Sequence, residues 1–213
     1  MAMFRRVSCV FLVGLLAVLA WAGKNFVMPA IQPAKSYPAH DTHADEAATV
    51  ALDPYDMPDK ANIFSVHYNE IGYLPVLFVI TNDGDQPISL QGMKAELITT
   101  DRTRIYPADE DDLYRRLAHP TQSSSPIPIP FPRTKVKGTV SEKTRNEIQD
   151  SRFAARAVEP HSTQSGFMFF DISGIPTPLA GAHFYLSGVH NSEGNELMYF
   201  EIAMEKYLSA PAK

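Results

Sequence analysis

Two histidines and three carboxylates fall within seven residues at His40-Asp41-Thr42-His43-Ala44-Asp45-Glu46. Imidazole nitrogens and carboxylate oxygens so spaced are a ligand set for zinc or copper on a local turn, which makes His40 and His43 the candidate metal ligands. The competing reading is a solvated linker, because fixing a flexible chain around an ion costs conformational entropy. Met93, Met168, Met198 and Met204, with His67, His183 and His190, form a second set whose soft thioethers suit copper, although methionine also fills gaps in cores. Asp109-Glu110-Asp111-Asp112 lacks the alternating oxygens and turn glycine of a calcium loop and fits the negatively charged start of a helix. Ser162, Ser165 and Ser192 each have a histidine nearby in sequence but no Gly-x-Ser-x-Gly elbow, and the chain has no glycine-rich phosphate loop and no pair of cysteines. The expectation is a non-catalytic chain without a cofactor, with periplasmic handling of copper or zinc as the alternative.

The stretch Pro126 to Pro132, PIPIPFP, offers a different kind of function. Its prolines favour polyproline II, so Ile127, Ile129 and Phe131, followed by Arg133, would form a stiff apolar ridge able to dock on a partner at low entropic cost. These four residues are the candidate partner-binding surface, the partner being a protein or envelope component. The alternative is that they fold back over an open sheet edge and block its pairing.

The compartment is read from the N-terminus. Arg5 and Arg6 precede the uncharged run Val7 to Gly23, which ends in Ala20-Trp21-Ala22. This is the pattern of a secretory signal peptide cleaved after Ala22, or of an uncleaved membrane anchor of similar length. Both readings export the rest of the chain to the periplasm or beyond, with membrane contact only through such an anchor. The single cysteine, Cys9, lies inside this leader, so the exported part has no disulfide. The leader carries two of the 19 basic residues and none of the 24 acidic ones, so its loss deepens the net charge of −5. Nucleic acid is disfavoured as a partner.

The 213 residues, less residues 1–22 and a polar linker over 23–49, suit one domain at 50–208. With 17 prolines against 11 glycines the composition opposes a mainly helical chain. Leu74 to Leu90 is its centre: Val76 to Ile80 read as a strand covered on both faces, and Asn82-Asp83-Gly84-Asp85 as a turn bringing Ile88 to Leu90 back into a neighbouring strand. Val50 to Leu52 reads as an edge strand, Asp56 to Phe64 as a short helix, and Met93 to Thr100 with Thr103 to Tyr106 as a hairpin that Pro107 ends. Glu110 to Leu117 is a helix with Leu113, Tyr114 and Leu117 inward. The insertion 118–157 contains the proline-rich loop and a surface helix from the capping pattern Thr139-Val-Ser-Glu142 to about Ala155, anchored by Ile148 and Phe153. Three strands close the chain, at Ser165 to Ile172, His183 to Val189 and Leu197 to Tyr207. The last two should form a hairpin, with Met198, Phe200, Ile202 and Met204 facing the core.

Pro75-Val-Leu-Phe-Val-Ile-Thr-Asn82 with Gln86-Pro-Ile88, and Gly166-Phe-Met-Phe-Phe-Asp171 before a closing hairpin, together resemble exported bacterial immunoglobulin-like domains of unknown function. The resemblance covers roughly residues 60 to 207 and implies an antiparallel β-sandwich, all-β with short helices and the proline-rich insertion, that serves as an accessory or binding module. It carries over no catalytic residue.

Overall fold

The computed structural model describes residues 25–119 and 140–204, so the leader and its cleavage site lie outside the described residues. The architecture is mostly β. Two four-stranded antiparallel sheets are formed, the first in the order β1 (Ala39–His43), β2 (Ala48–Pro54), β3 (Tyr73–Asn82), β8 (Ser162–Asp171). The second runs β10 (Phe200–Ala203), β9 (His183–Ser187), β5 (Lys94–Ile98), β6 (Arg104–Ile105). A two-residue pair, β4 (Ile88–Ser89) with β7 (Ala157–Val158), completes the strands. No helix among the described residues is long and apolar enough to cross a membrane.

Every residue of β3 is buried. Because side chains alternate along a strand, β3 feeds two cores at once. Leu74, Val76, Phe78 and Ile80 enter a cluster shared with the second sheet's Leu97, Phe184, Leu186, Phe200 and Ile202. Tyr73, Leu77 and Val79 enter another with Phe64, Leu113, Ile148, Phe167 and Phe169. Full burial of one such side chain is worth about 1.5–3 kcal/mol.

The outer cluster is closed by helices. α1 (Pro58–Ala61) follows β2. In α2 (Glu110–Ala118) the Asp109 side chain caps the first turn, accepting from Asp112 N at 2.7 Å. Leu113 is fully buried, and Tyr114 and Leu117 pack on the cluster as the helical period predicts. Arg116 is buried too: it donates to Ile71 O and Ser173 Oγ through Nη1 and to Asp171 Oδ2 through Nη2, each at 2.8 Å, with its guanidinium over the Tyr73 ring. α3 (Glu142–Ser151) starts two residues later than Thr139 would place it, with Ser141 as the cap accepting from Thr144 N.

α3 lies on the surface with Ile148 as its buried anchor, as expected, but it also drives Glu147 into the interior. The Glu147 carboxylate accepts from Ser65 N (2.7 Å), Ser65 Oγ, Val66 N (3.3 Å) and Tyr68 Oη (3.3 Å), so its burial is compensated. Phe153 lies beyond the helix end, edge-on to Phe78 at 4.8 Å.

Other expectations are corrected. The segment 23–49 is not simply a linker. Within it β1 pairs with β2 from Ala39↔Leu52 to His43↔Ala48, and Ala34, Ala39 and Ala48 are fully buried. Small alanines hide this strand from a hydrophobic count, and β2 needs a hydrogen-bonding neighbour on its free side. Val50 to Leu52 is therefore part of an interior strand. Ile88 and Ser89 do not return beside β3 but pair with Val158 and Ala157. Asn82 steers this path, donating through Nδ2 to Gln86 O (2.7 Å) and Val158 O (3.1 Å). Met198 is 68% exposed because regular β10 begins only at Phe200, whereas Phe200, Ile202 and Met204 are inward as expected.

Gly166 explains how the chain leaving α3 can cross the core side of β8. A Cβ there would lie 2.4 Å from Phe153 Cα and 2.5 Å from Phe153 N. Gly166→Ala is therefore expected to cost about 1–3 kcal/mol of stability by overpacking. Urea unfolding checks this against Ser165→Ala in the same strand, expected to stay within about 0.5 kcal/mol.

Candidate functional site

Pro107 opens a groove. The β5–β6 ladder runs through Leu97↔Ile105 and Ile98↔Arg104, but proline has no N–H with which to extend it toward Ala95. The chain swings instead to the free edge of β8, where Pro107 bridges Phe170 and Ala108 N donates to Phe169 O at 2.7 Å. From the other side Arg152 bridges Phe167, and Phe153 N donates to Phe167 O at 3.0 Å.

Between these two crossings, and against the Met93 to Ala95 end of β5, remains a cavity of about 350 Å³. Phe153, Phe167, Met168, Phe169, Ala95 and Pro107 give it an apolar lining, while Lys94, Arg152 and the 59% exposed Tyr106 bring polar groups to it. Its size lies at the lower end of the range for small-ligand sites.

Arg152 Nη1 stands 3.6 Å from Glu110 Oε2. The Tyr114 hydroxyl donates to Glu110 Oε1 and holds that carboxyl below the usual range. Burial opposes the shift, while Gln149 Nε2 at 3.1 Å and the Arg152 charge add to it. Burial foremost, then the bond to Glu110, pushes the Tyr114 phenol up to about 12.

The sequence-selected residues fall elsewhere. Ile127, Ile129, Phe131 and Arg133 lie outside the described residues. His40 and His43 are three apart on β1 and so face opposite sides of the sheet. His40 Nδ1 donates to Tyr37 O at 2.6 Å. His43 stacks on Phe200 with ring centroids 4.1 Å apart, its Nδ1 2.9 Å from Glu46 Oε2 and its Nε2 3.3 Å from Asp41 Oδ2. Those carboxylates accept in turn from Met198 N (2.9 Å) and Glu201 N (3.0 Å), so the acidic run stitches the edge of the first sheet to the edge of the second.

Among the described residues no group of three His, Cys, Asp or Glu side chains is placed to hold a metal ion. Of the methionine and histidine set, Met93 and Met168 line the groove, Met204 is in the core, and His183 pairs with Glu201 at 3.0 Å. Sequence reasoning missed the groove because its walls come from four separate stretches; Pro107 after the hairpin and Gly166 in the late strand were the legible signals.

His43→Ala should cost about 1–3 kcal/mol, since it removes the stack on Phe200 and the imidazole between two partly buried carboxylates. Thermal denaturation checks this, with His40→Ala, on the opposite face, expected to cost less. For Glu110 the sign is that of a lowered carboxyl: its contribution is present above the unfolded-state value and is lost as the pH falls through the folded one. The urea-midpoint gap between the native chain and Glu110→Gln should therefore be widest near neutrality and close on acidification. Compared with protein-family models and with curated proteins, the chain finds no match.

Proposed function

We propose that this chain is a non-catalytic, exported immunoglobulin-like β-sandwich that binds a protein or envelope component. The sandwich reading is supported by two antiparallel sheets whose inward side chains share one cluster. It is supported further by the pairing of the two segments that carry the resemblance: β3 and β8 run antiparallel from Tyr73↔Asp171 to Asn82↔Ser162. The helices on the outer face of the first sheet are an addition to a minimal sandwich. Export is the sequence expectation from the leader.

The observation that carries the binding reading is the groove between Pro107 and Phe153, where an apolar floor meets basic side chains. Exposed apolar surface at a sheet edge is a hazard unless it is covered or used. The ridge of Ile127, Ile129, Phe131 and Arg133 is proposed as a second contact.

Capture from an envelope fraction by the exported chain tests the reading. A saturably retained component is expected to be lost with Ala108→Trp, which adds bulk at a residue lining the groove, and weakened when Ile127, Ile129 and Phe131 are changed to serine, with the unfolding midpoint of each variant confirming the fold. Retention unchanged by both variants would overturn the reading, as would turnover of an ester, peptide or glycan abolished by a single serine or carboxylate substitution.

A further inference from the structure

The chemistry of the groove narrows what it takes. Strand addition along β8 is blocked where the two crossings occupy it, because Phe167 O and Phe169 O already accept from Phe153 N and Ala108 N. Recognition must therefore come from the walls, and these are chiefly aromatic and aliphatic.

The charged side chains lining the groove are both basic. Lys94 makes no ion pair among the described residues, and Arg152 is held by Glu110 only at 3.6 Å, beyond hydrogen-bond distance. An arginine fork offers five donors in a geometry that matches a carboxylate. A cation beside an apolar, partly desolvated cavity attracts an anion more strongly than it would in open water. The chain's excess of acids makes this local basic pair the more distinctive.

We propose that the groove binds a small amphipathic carboxylate, a compact or flexible apolar body seated on Met93, Phe153 and Met168 with its acid group toward Lys94 and Arg152. This deepens the binding reading above and rests on it. Two methionines, Met93 and Met168, line the groove, while Met198 is exposed elsewhere, so the site carries its own reporters.

Titration of the exported chain, labelled with ¹³C at its methionine methyls, with sodium decanoate is expected to shift the Met93 and Met168 signals saturably and leave Met198 unmoved. Replacing the acid by 1-decanol, or Lys94 by glutamate, should weaken binding about tenfold, the scale of one charge-assisted contact. Lys94 is exposed, so Lys94→Glu keeps the fold. Ala108→Trp should abolish the shifts. Absence of shifts at Met93 and Met168, or equal affinity for decanoate and decanol and in Lys94→Glu, would overturn the proposal. If decanoate fails in this way while envelope capture remains sensitive to Ala108→Trp, the carboxylate chemistry falls and the binding reading stands. If decanoate behaves as expected and no component is captured, the carboxylate site stands without the macromolecular partner.

Discussion

A strand with no polar face must be covered twice. β3 alternates Leu74, Val76, Phe78 and Ile80 on one side with Tyr73, Leu77 and Val79 on the other, and neither set can be left in water. One side is met by the second sheet, the other by α2, α3 and the aromatic residues Tyr55, Phe64 and Tyr68. β8, paired with β3 along its whole length, divides its residues the same way, Met168 and Phe170 to one core and Phe167 and Phe169 to the other. The layering of the molecule follows from this single demand.

Buried polar groups then decide how the irregular segments lie. Glu147 is only 3% exposed and collects donors from Ser65, Val66 and Tyr68, which fixes the stretch after α1 against α3. Arg116 ties α2 to Ile71, Asp171 and Ser173, at the ends of β3 and β8. A buried charge of this kind adds little net stability over an apolar replacement, but removing one partner strands the other, so the arrangement is specified even where it is not strongly favoured. Asn82 acts likewise without charge, and it is the reason β4 leaves β3 for β7.

Two different devices close the edges at β1, β10 and β8. Between β1 and β10 the closure is made by side chains, with His43 holding Asp41 and Glu46 where they accept backbone N–H groups from Glu201 and Met198. Along β8 it is made by two short backbone crossings, one permitted by the missing side chain of Gly166 and the other forced by Pro107. Both devices leave little edge free for strand addition. The groove is the space left where the two crossings do not meet.

Local pattern was enough for the elements whose signal is local. The unbroken apolar run of β3, the hairpin of β5 and β6, the acid-first helix α2 with Leu113 inward and the β9–β10 hairpin are written in consecutive residues, because such runs, turns and caps depend only on near neighbours. What the sequence could not supply was partnership. Ala39 and Ala48 are too small to announce a core strand, Glu147 looks like a surface residue until Ser65 and Tyr68 are beside it, and the histidine and acidic run resembles a metal tether until strand pleating turns His40 and His43 apart. The groove belongs wholly to the tertiary level, since Lys94, Pro107, Arg152 and Met168 meet only after the two sheets have packed. Composition and periodicity thus determined that this is an antiparallel β protein built on β3, while contacts between residues distant in the chain decided its edges, its buried charges and its cavity, because those depend on which donor finds which acceptor across space.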